Sequence, residues 1–263
     1  MARIRVEGIV IDCPDGEGLM RFYHQLTGME IEDYGDAFPT ISDKGWSLVF
    51  QQVANYQGPT WPTQERGQQI HLDFATTDME AAARYAESIG ATRADTQPAE
   101  EMTDLDFIVL LDPVGHPFCL VQHFEPWDGP VVTKENGPPA ISLRTPFVDC
   151  PDHVGLAGFY ASLLGGSVVG ETNDEWTAIQ TPGGLVLCFQ RVEGYQPPTW
   201  PTQERGQQMH VDFVVDDLDV AVGQAVALGA TVVDREAGRY FVVLKDPAGH
   251  PFCLCYRGGD VEG

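Results

Sequence analysis

A histidine and an aspartate stand two residues apart in GQQIHLDF, as His71 and Asp73, and the pair recurs in GQQMHVDF as His210 and Asp212. Along an extended chain alternate side chains share a face. Each pair therefore shows an imidazole and a carboxylate on one side, with Leu72 and Phe74, or Val211 and Phe213, on the other. With the apolar side packed under helices, the polar side opens into a concave site. There the four residues are candidate catalytic groups, a base with an orienting carboxylate, or hydrogen-bonding groups that fix the polar edge of a ligand. A purely structural pair that pins the neighbouring glutamines is the competing role.

Flat side chains cluster just ahead of each pair. Tyr56 and Trp61, and then Tyr195 and Trp200, lie in the proline-braced loops that lead into the two strands; Phe50 and Phe189 lie on the strands before those loops. With Cys119 and Cys253 they form the candidate ligand-binding set, suited to an aromatic or planar compound. Arg66 and Arg205 match an anionic group on such a ligand. The same loop serves equally as glue between two halves, and for its arginines and prolines that reading is preferred. His116 and His250 precede proline in DPVGHPF and DPAGHPF, where a turn-stabilising or solvent-facing role is expected.

These residues come in pairs because the chain is duplicated. YQGPTWPTQERGQQIHLDF at 56–74 and YQPPTWPTQERGQQMHVDF at 195–213 are identical at 16 of 19 positions, and DPVGHPFCL at 112–120 and DPAGHPFCL at 246–254 at 8 of 9. DCPD stands at both 12–15 and 149–152. A repeat of this length points to two copies of one unit. The copies divide the chain into domains at 1–123 and 141–263, joined by the proline-rich linker 124–140.

Within each copy the apolar period switches twice from strand to helix. IRVEGIVID reads as a strand, the aspartates of DCPD as turn and N-cap residues, and Leu19, Phe22, Tyr23 and Leu26 as one helical face, repeated by Leu156, Phe159, Tyr160 and Leu163. Gly28 and Gly165 fall where those helices end. Three strands, the loop, a second strand, a helix from Asp78 and three more strands follow. The class is α+β, with four βαβββ modules.

Composition excludes several roles. Thirty-nine acidic against fifteen basic residues give a net charge of −24, which repels nucleic acid and anionic lipid. No stretch approaches the about 18 apolar residues of a membrane helix, and the N-terminus does not read as a signal peptide, so a cytoplasmic location is expected. The six cysteines form no CxxC pair and read as free thiols. The expected partner is a small molecule, with no nucleic acid and no membrane. The assembly is expected to be a monomer with a pseudo-twofold pair of domains, or a homodimer.

The opening strand with its D-x-P-D turn, the Phe-Tyr helix, HLDFATTD and HVDFVVDD, and the DPxGHPFCL hairpins together resemble the vicinal oxygen chelate superfamily, which includes glyoxalase I, bleomycin-resistance proteins and extradiol dioxygenases. The resemblance spans both copies and is nearest to tandem glyoxalase-like proteins of actinobacteria. It implies paired modules whose curved mixed sheets form cups. It also implies four metal-holding positions per cup, matched here by Gly8, Val49, His71 and Cys119 in the first copy and by Thr145, Cys188, His210 and Cys253 in the second. Glycine and valine offer no ligand atom, so no metal is expected in the first domain. In the second, Cys188, His210 and Cys253 make a set that zinc accepts, and zinc is the one cofactor considered. Two functions follow as expectations. One is a binder of a small, partly aromatic or apolar compound without the usual metal. The other is a lyase or isomerase acting on a carbonyl compound through the His-x-Asp pairs or that zinc set.

Overall fold

The computed structural model describes residues 1–33, 35, 38–43, 45–97, 107–122, 138–235, 238 and 240–257. Most of the expected linker, 124–137, lies outside the described residues.

Four βαβββ modules follow one another. The first holds β1 (Ile4–Cys13), α1 (Gly16–Thr27), β2 (Glu30–Ile31), β3 (Thr40–Asp43) and β4 (Trp46–Gln52). The second holds β5 (Ile70–Thr76), α2 (Met79–Ser88), β6 (Thr92–Arg93), β7 (Phe107–Leu111) and β8 (Pro117–Gln122). The third holds β9 (Ile141–Cys150), α3 (His153–Leu164), β10 (Ser167–Val169), β11 (Trp176–Gln180) and β12 (Val186–Arg191). The fourth holds β13 (Met209–Val215), α4 (Leu218–Leu228), β14 (Thr231–Asp234), β15 (Phe241–Lys245) and β16 (Pro251–Tyr256). Each helix opens on an aspartate, Asp15, Asp78, Asp152 or Asp217, whose carboxylate accepts from the amide three residues on. Such a cap is worth about 1 kcal/mol. Gly28 and Gly165 end α1 and α3 in the left-handed conformation.

The modules do not pair within each copy. One eight-stranded sheet, here sheet A, runs β14-β15-β16-β13-β1-β4-β3-β2, and the other, sheet B, runs β10-β11-β12-β9-β5-β8-β7-β6. Sheet A thus joins the first module to the fourth, and sheet B the second to the third. The seams are antiparallel, with Val10 opposite His210 in sheet A and His71 opposite Phe147 in sheet B. A first strand whose outer edge lacked a partner would leave a row of bare amides and carbonyls, and the other copy supplies that partner.

Within one continuous core, each copy nevertheless packs its own aromatic set beneath its helices. Tyr23 of α1 stacks on Phe50 of sheet A at 5.7 Å and on Phe74 of sheet B at 6.0 Å, with Phe118 edge-on to Phe74. Tyr160, Phe189, Phe213 and Phe252 repeat the arrangement in the second copy. Each repeat thus supplies its own aromatic set to a shared core, and the sheet B cup is built by both repeats. Among the described residues no helix is long and apolar enough to cross a membrane.

Candidate functional site

Alternation along β5 and β13 works as the sequence implies. Leu72, Phe74 and Phe213 are fully buried and Val211 nearly so, all on the helix side, and His71, Asp73, His210 and Asp212 lie on the opposite face. The metal-position sets drawn within each copy are corrected by the sheet order. Gly8, Val49, His210 and Cys253 belong to sheet A, and Thr145, Cys188, His71 and Cys119 to sheet B. The zinc set Cys188, His210 and Cys253 is parted, its first member lying in the other sheet.

Above sheet B lies a cavity of about 1290 Å³. Its floor carries His71, Asp73 and Cys119, and its walls include Trp61, Phe147, Trp176 and Tyr195. Trp61 also packs on the small cluster of Ala94, Val109 and Cys119. Tyr195 comes from the loop that leads into sheet A, so one cup draws an aromatic wall from each half. Trp200 keeps to the sheet A side, where its carbonyl accepts from Lys245 Nζ at 3.3 Å. Two residues of the expected ligand-binding set are corrected: Phe50 and Phe189 are fully buried under Tyr23 and Tyr160. The strand period puts them on the helix side, out of reach of a ligand.

The histidines are held by their neighbours. Gln68 Nε2 stands 3.0 Å from His71 Nδ1 and within 3.1 Å of both oxygens of Asp149. The amide nitrogen has hydrogens to give and no lone pair to accept with, so it donates to Nδ1 as well as to the carboxylate. The imidazole proton then sits on Nε2, which faces Asp73 Oδ1 at 3.5 Å. That distance is long for a hydrogen bond, and Asp73 Oδ1 is a buried oxygen with no hydrogen-bond partner among the described residues. In sheet A, Gln207 Nε2 reaches Asp12 Oδ1 at 3.3 Å and His210 Nδ1 at 3.2 Å, with Asp212 Oδ1 3.3 Å from His210 Nε2 and likewise without a hydrogen-bond partner among the described residues.

Burial decides the charges. It pushes His71 down to about 4 and Asp73 up to about 7, the latter partly offset by the Cys119 thiol and the Arg144 charge. Burial also raises Asp149 to about 7 and Asp12 to about 6. For His210 burial acts downward, but Asp212 and Asp12 beside it outweigh it, and its pKa lies above the ordinary value. The sheet B site thus combines a neutral imidazole N–H donor with a carboxyl that changes charge near neutral pH.

The superfamily's metal positions do not fit an ion here. A Cβ on Gly8 would stand 2.7 Å from the Ser47 carbonyl oxygen, which leaves no room for a ligating side chain. In sheet B, Thr145 Oγ1 donates to Val186 O at 2.8 Å, and burial pushes the Cys188 thiol up to about 12. Each floor does gather three donor residues, His71, Asp73 and Cys119, or His210, Asp212 and Cys253, with Glu7, Asp212 and Cys255 close by. These are the residues that could hold a cation among the described ones. Against it, Gln68 and Gln207 each donate to Nδ1, so the ring nitrogen facing the other donors carries a proton in place of a free lone pair. A ligating histidine needs the opposite tautomer.

The loops cross between halves through glutamines. Gln69 Nε2 donates to Gly206 O, the amide of Gln208 donates to Gln69 Oε1, and Gln208 Nε2 donates to Gln57 O, all at 3.0–3.1 Å. The arginines expected at this interface brace their own loops: Arg66 donates to Gly58 O and Arg205 to Pro197 O. His116 and His250 are buried, which corrects the solvent-facing alternative and leaves the turn-stabilising one. His116 lies between Asp112 Oδ2 at 2.9 Å and Tyr56 Oη at 2.7 Å, and His250 between Asp246 and Tyr195. Tyr23 and Tyr160 are core residues as expected, and each also donates its hydroxyl to the same aspartate. Sequence reasoning missed Arg144, Phe147 and Trp176, which belong to the third module and reach the cavity only because that module pairs with the second.

Comparison with known proteins agrees with this architecture. The model of the glyoxalase-like domain family matches residues 8–121 and again 146–255. The chain belongs to that family, as a tandem two-domain member of the vicinal oxygen chelate superfamily. It superposes on glyoxalase I from Zea mays with a TM-score of 0.68 at 14% identity, covering 97% of this chain and 93% of that one. A putative dioxygenase from Bacillus subtilis aligns with a TM-score of 0.58 at 12% identity over 98% and 86% of the two chains. At such identities the likeness concerns the fold alone. A search of curated proteins returned no match.

Proposed function

We propose that the sheet B cup binds a small, partly aromatic organic compound whose polar edge rests on His71 and Asp73, without a metal ion. The observation that carries this reading is the 1290 Å³ cavity with aromatic walls, whose floor holds a buried carboxyl oxygen with no hydrogen-bond partner among the described residues. A buried polar atom left unsatisfied costs about 1–3 kcal/mol, which a ligand's donor would recover. Native mass spectrometry of the folded chain, purified without denaturation, tests it. A ligand mass retained by the wild type and lost in His71→Ala is expected; a stoichiometric metal whose chelation abolishes ligand retention would overturn it.

A second reading, a lyase or isomerase, is favoured by one feature of the same site. A carboxyl near pKa 7 beside an imidazole N–H can take a proton next to a carbonyl while the N–H binds the carbonyl oxygen. Solvent deuterium exchange into carbonyl compounds by the wild type, absent in Asp73→Asn, would support it. Equal exchange by both proteins would exclude it.

A further inference from the structure

The duplication sets the helix faces of one copy against those of the other. Asp15 and Asp152 cap α1 and α3, 137 positions apart, and Asp78 and Asp217 cap α2 and α4, 139 apart. On the solvent side of the first copy stand Glu17, Arg21 and Gln25 of α1 and Glu80, Arg84 and Glu87 of α2, all exposed. Glu17 pairs with Arg21 and Glu80 with Arg84. In the second copy the same places hold Val154, Gly158 and Ser162, then Asp219, Gly223 and Val226, again all exposed. Five charges thus become one. Asp219 lies in the first turn of α4 and pairs with Arg235, and α3 has no Asp, Glu, Lys or Arg at all.

Nothing in the fold of the chain requires the two glycines. Both lie inside helices, neither has a positive φ, and a Cβ on either would meet no atom within 4 Å. Glycine inside a helix destabilises it relative to alanine, so neither is explained by packing within one chain. Ser162 and Ala227 stand one turn beyond Gly158 and Gly223 on the same faces, which leaves a shallow groove along each helix. α3 and α4 pack side by side. Val154 and Val226 border the grooves and are 54% and 46% exposed.

From this contrast we infer that the α3–α4 face is where a second copy of the chain docks across a twofold axis. Such a contact sets one patch against itself, so a charge on it meets its like. At −24 the chain repels its own copy, and a face with one acid in two helices is where that repulsion is least. A basic partner would favour the acidic remainder of the surface instead. The glycines allow two helix backbones to approach closely, and the valines supply apolar surface for removal from water.

Sedimentation velocity of the full chain over a range of concentrations tests this. The wild type is expected to sediment as a dimer that tightens as salt rises, because salt screens the repulsion between two acidic chains. Gly158→Arg combined with Gly223→Arg introduces the residue type of Arg21 and Arg84 where a single chain has open space, so the fold is kept. Guanidinium groups forced unpaired into the contact should raise the dimer's dissociation constant about 100-fold or more. Val154→Glu, which matches Glu17, should act in the same direction and serves if the double variant does not fold. A dimer that weakens with salt, or one left intact by a folded variant, would overturn the inference. A wild type that stays monomeric at the highest concentration would leave the face to another partner and overturn it as well.

Discussion

Replacing Asp73 by asparagine should stabilise the protein, and by an amount that depends on pH in a defined way. The carboxyl rises from 3.8 to about 7 because it is buried. That is about three powers of ten in proton affinity, or about 4 kcal/mol at about 1.4 kcal/mol each. Relaxation and water entry lessen it, so a gain of about 2–4 kcal/mol is expected. The folded-state pKa lies above the unfolded one. Between pH of about 4 and about 7 the native protein therefore holds a proton that the unfolded chain has released, and wild-type stability falls as pH rises through that window, then levels off. The Asp73→Asn variant lacks this slope, and its advantage should grow from near zero at about pH 4 to its full value above about pH 7. Asp12 and Asp149 add slopes of the same sign and His71 one of opposite sign, but all three are common to both proteins and cancel in the difference. Urea denaturation at constant ionic strength across this range, read by tryptophan fluorescence, measures it. A difference that does not vary with pH, or a variant less stable than wild type at about pH 8, would refute the assignment of Asp73 as a carboxyl ionised against its surroundings.

Three further outcomes are expected. Gly8→Ala should destabilise the protein by about 1–3 kcal/mol in thermal or urea unfolding, because the new methyl meets the Ser47 carbonyl at 2.7 Å. Gln208→Ala removes bonds to both Gln57 and Tyr56 across the halves and should lower stability by about 1–2 kcal/mol, with a double-mutant cycle against Gln69→Ala showing coupling. Cobalt titration near neutral pH should give no thiolate-to-cobalt charge-transfer absorption in the wild type; an intense band lost in Cys119→Ser would show the His71–Asp73–Cys119 cluster to be a metal site.

What the sequence determined by itself rests on local rules. The repeat, the capped helices, the four modules and the facing of His71, Asp73, His210 and Asp212 follow from period and turn chemistry, which act within a few residues. The tertiary structure decided which module faces which. Identity between copies cannot settle that, because β1 meets the same kind of edge in either partner, and joining the first module to the fourth separated Cys188 from His210 and brought Trp61, Tyr195 and Arg144 to one cavity. Strand parity alone places Phe50 and Phe189 on the helix face, but only the packed core of Tyr23 and Tyr160 shows that face to be closed. The opposite charges of Glu7 and Arg144 are plain in the sequence at positions 137 apart. That both residues sit at bulges is not, since a bulge is a mismatch between two strands and exists only once those strands have paired.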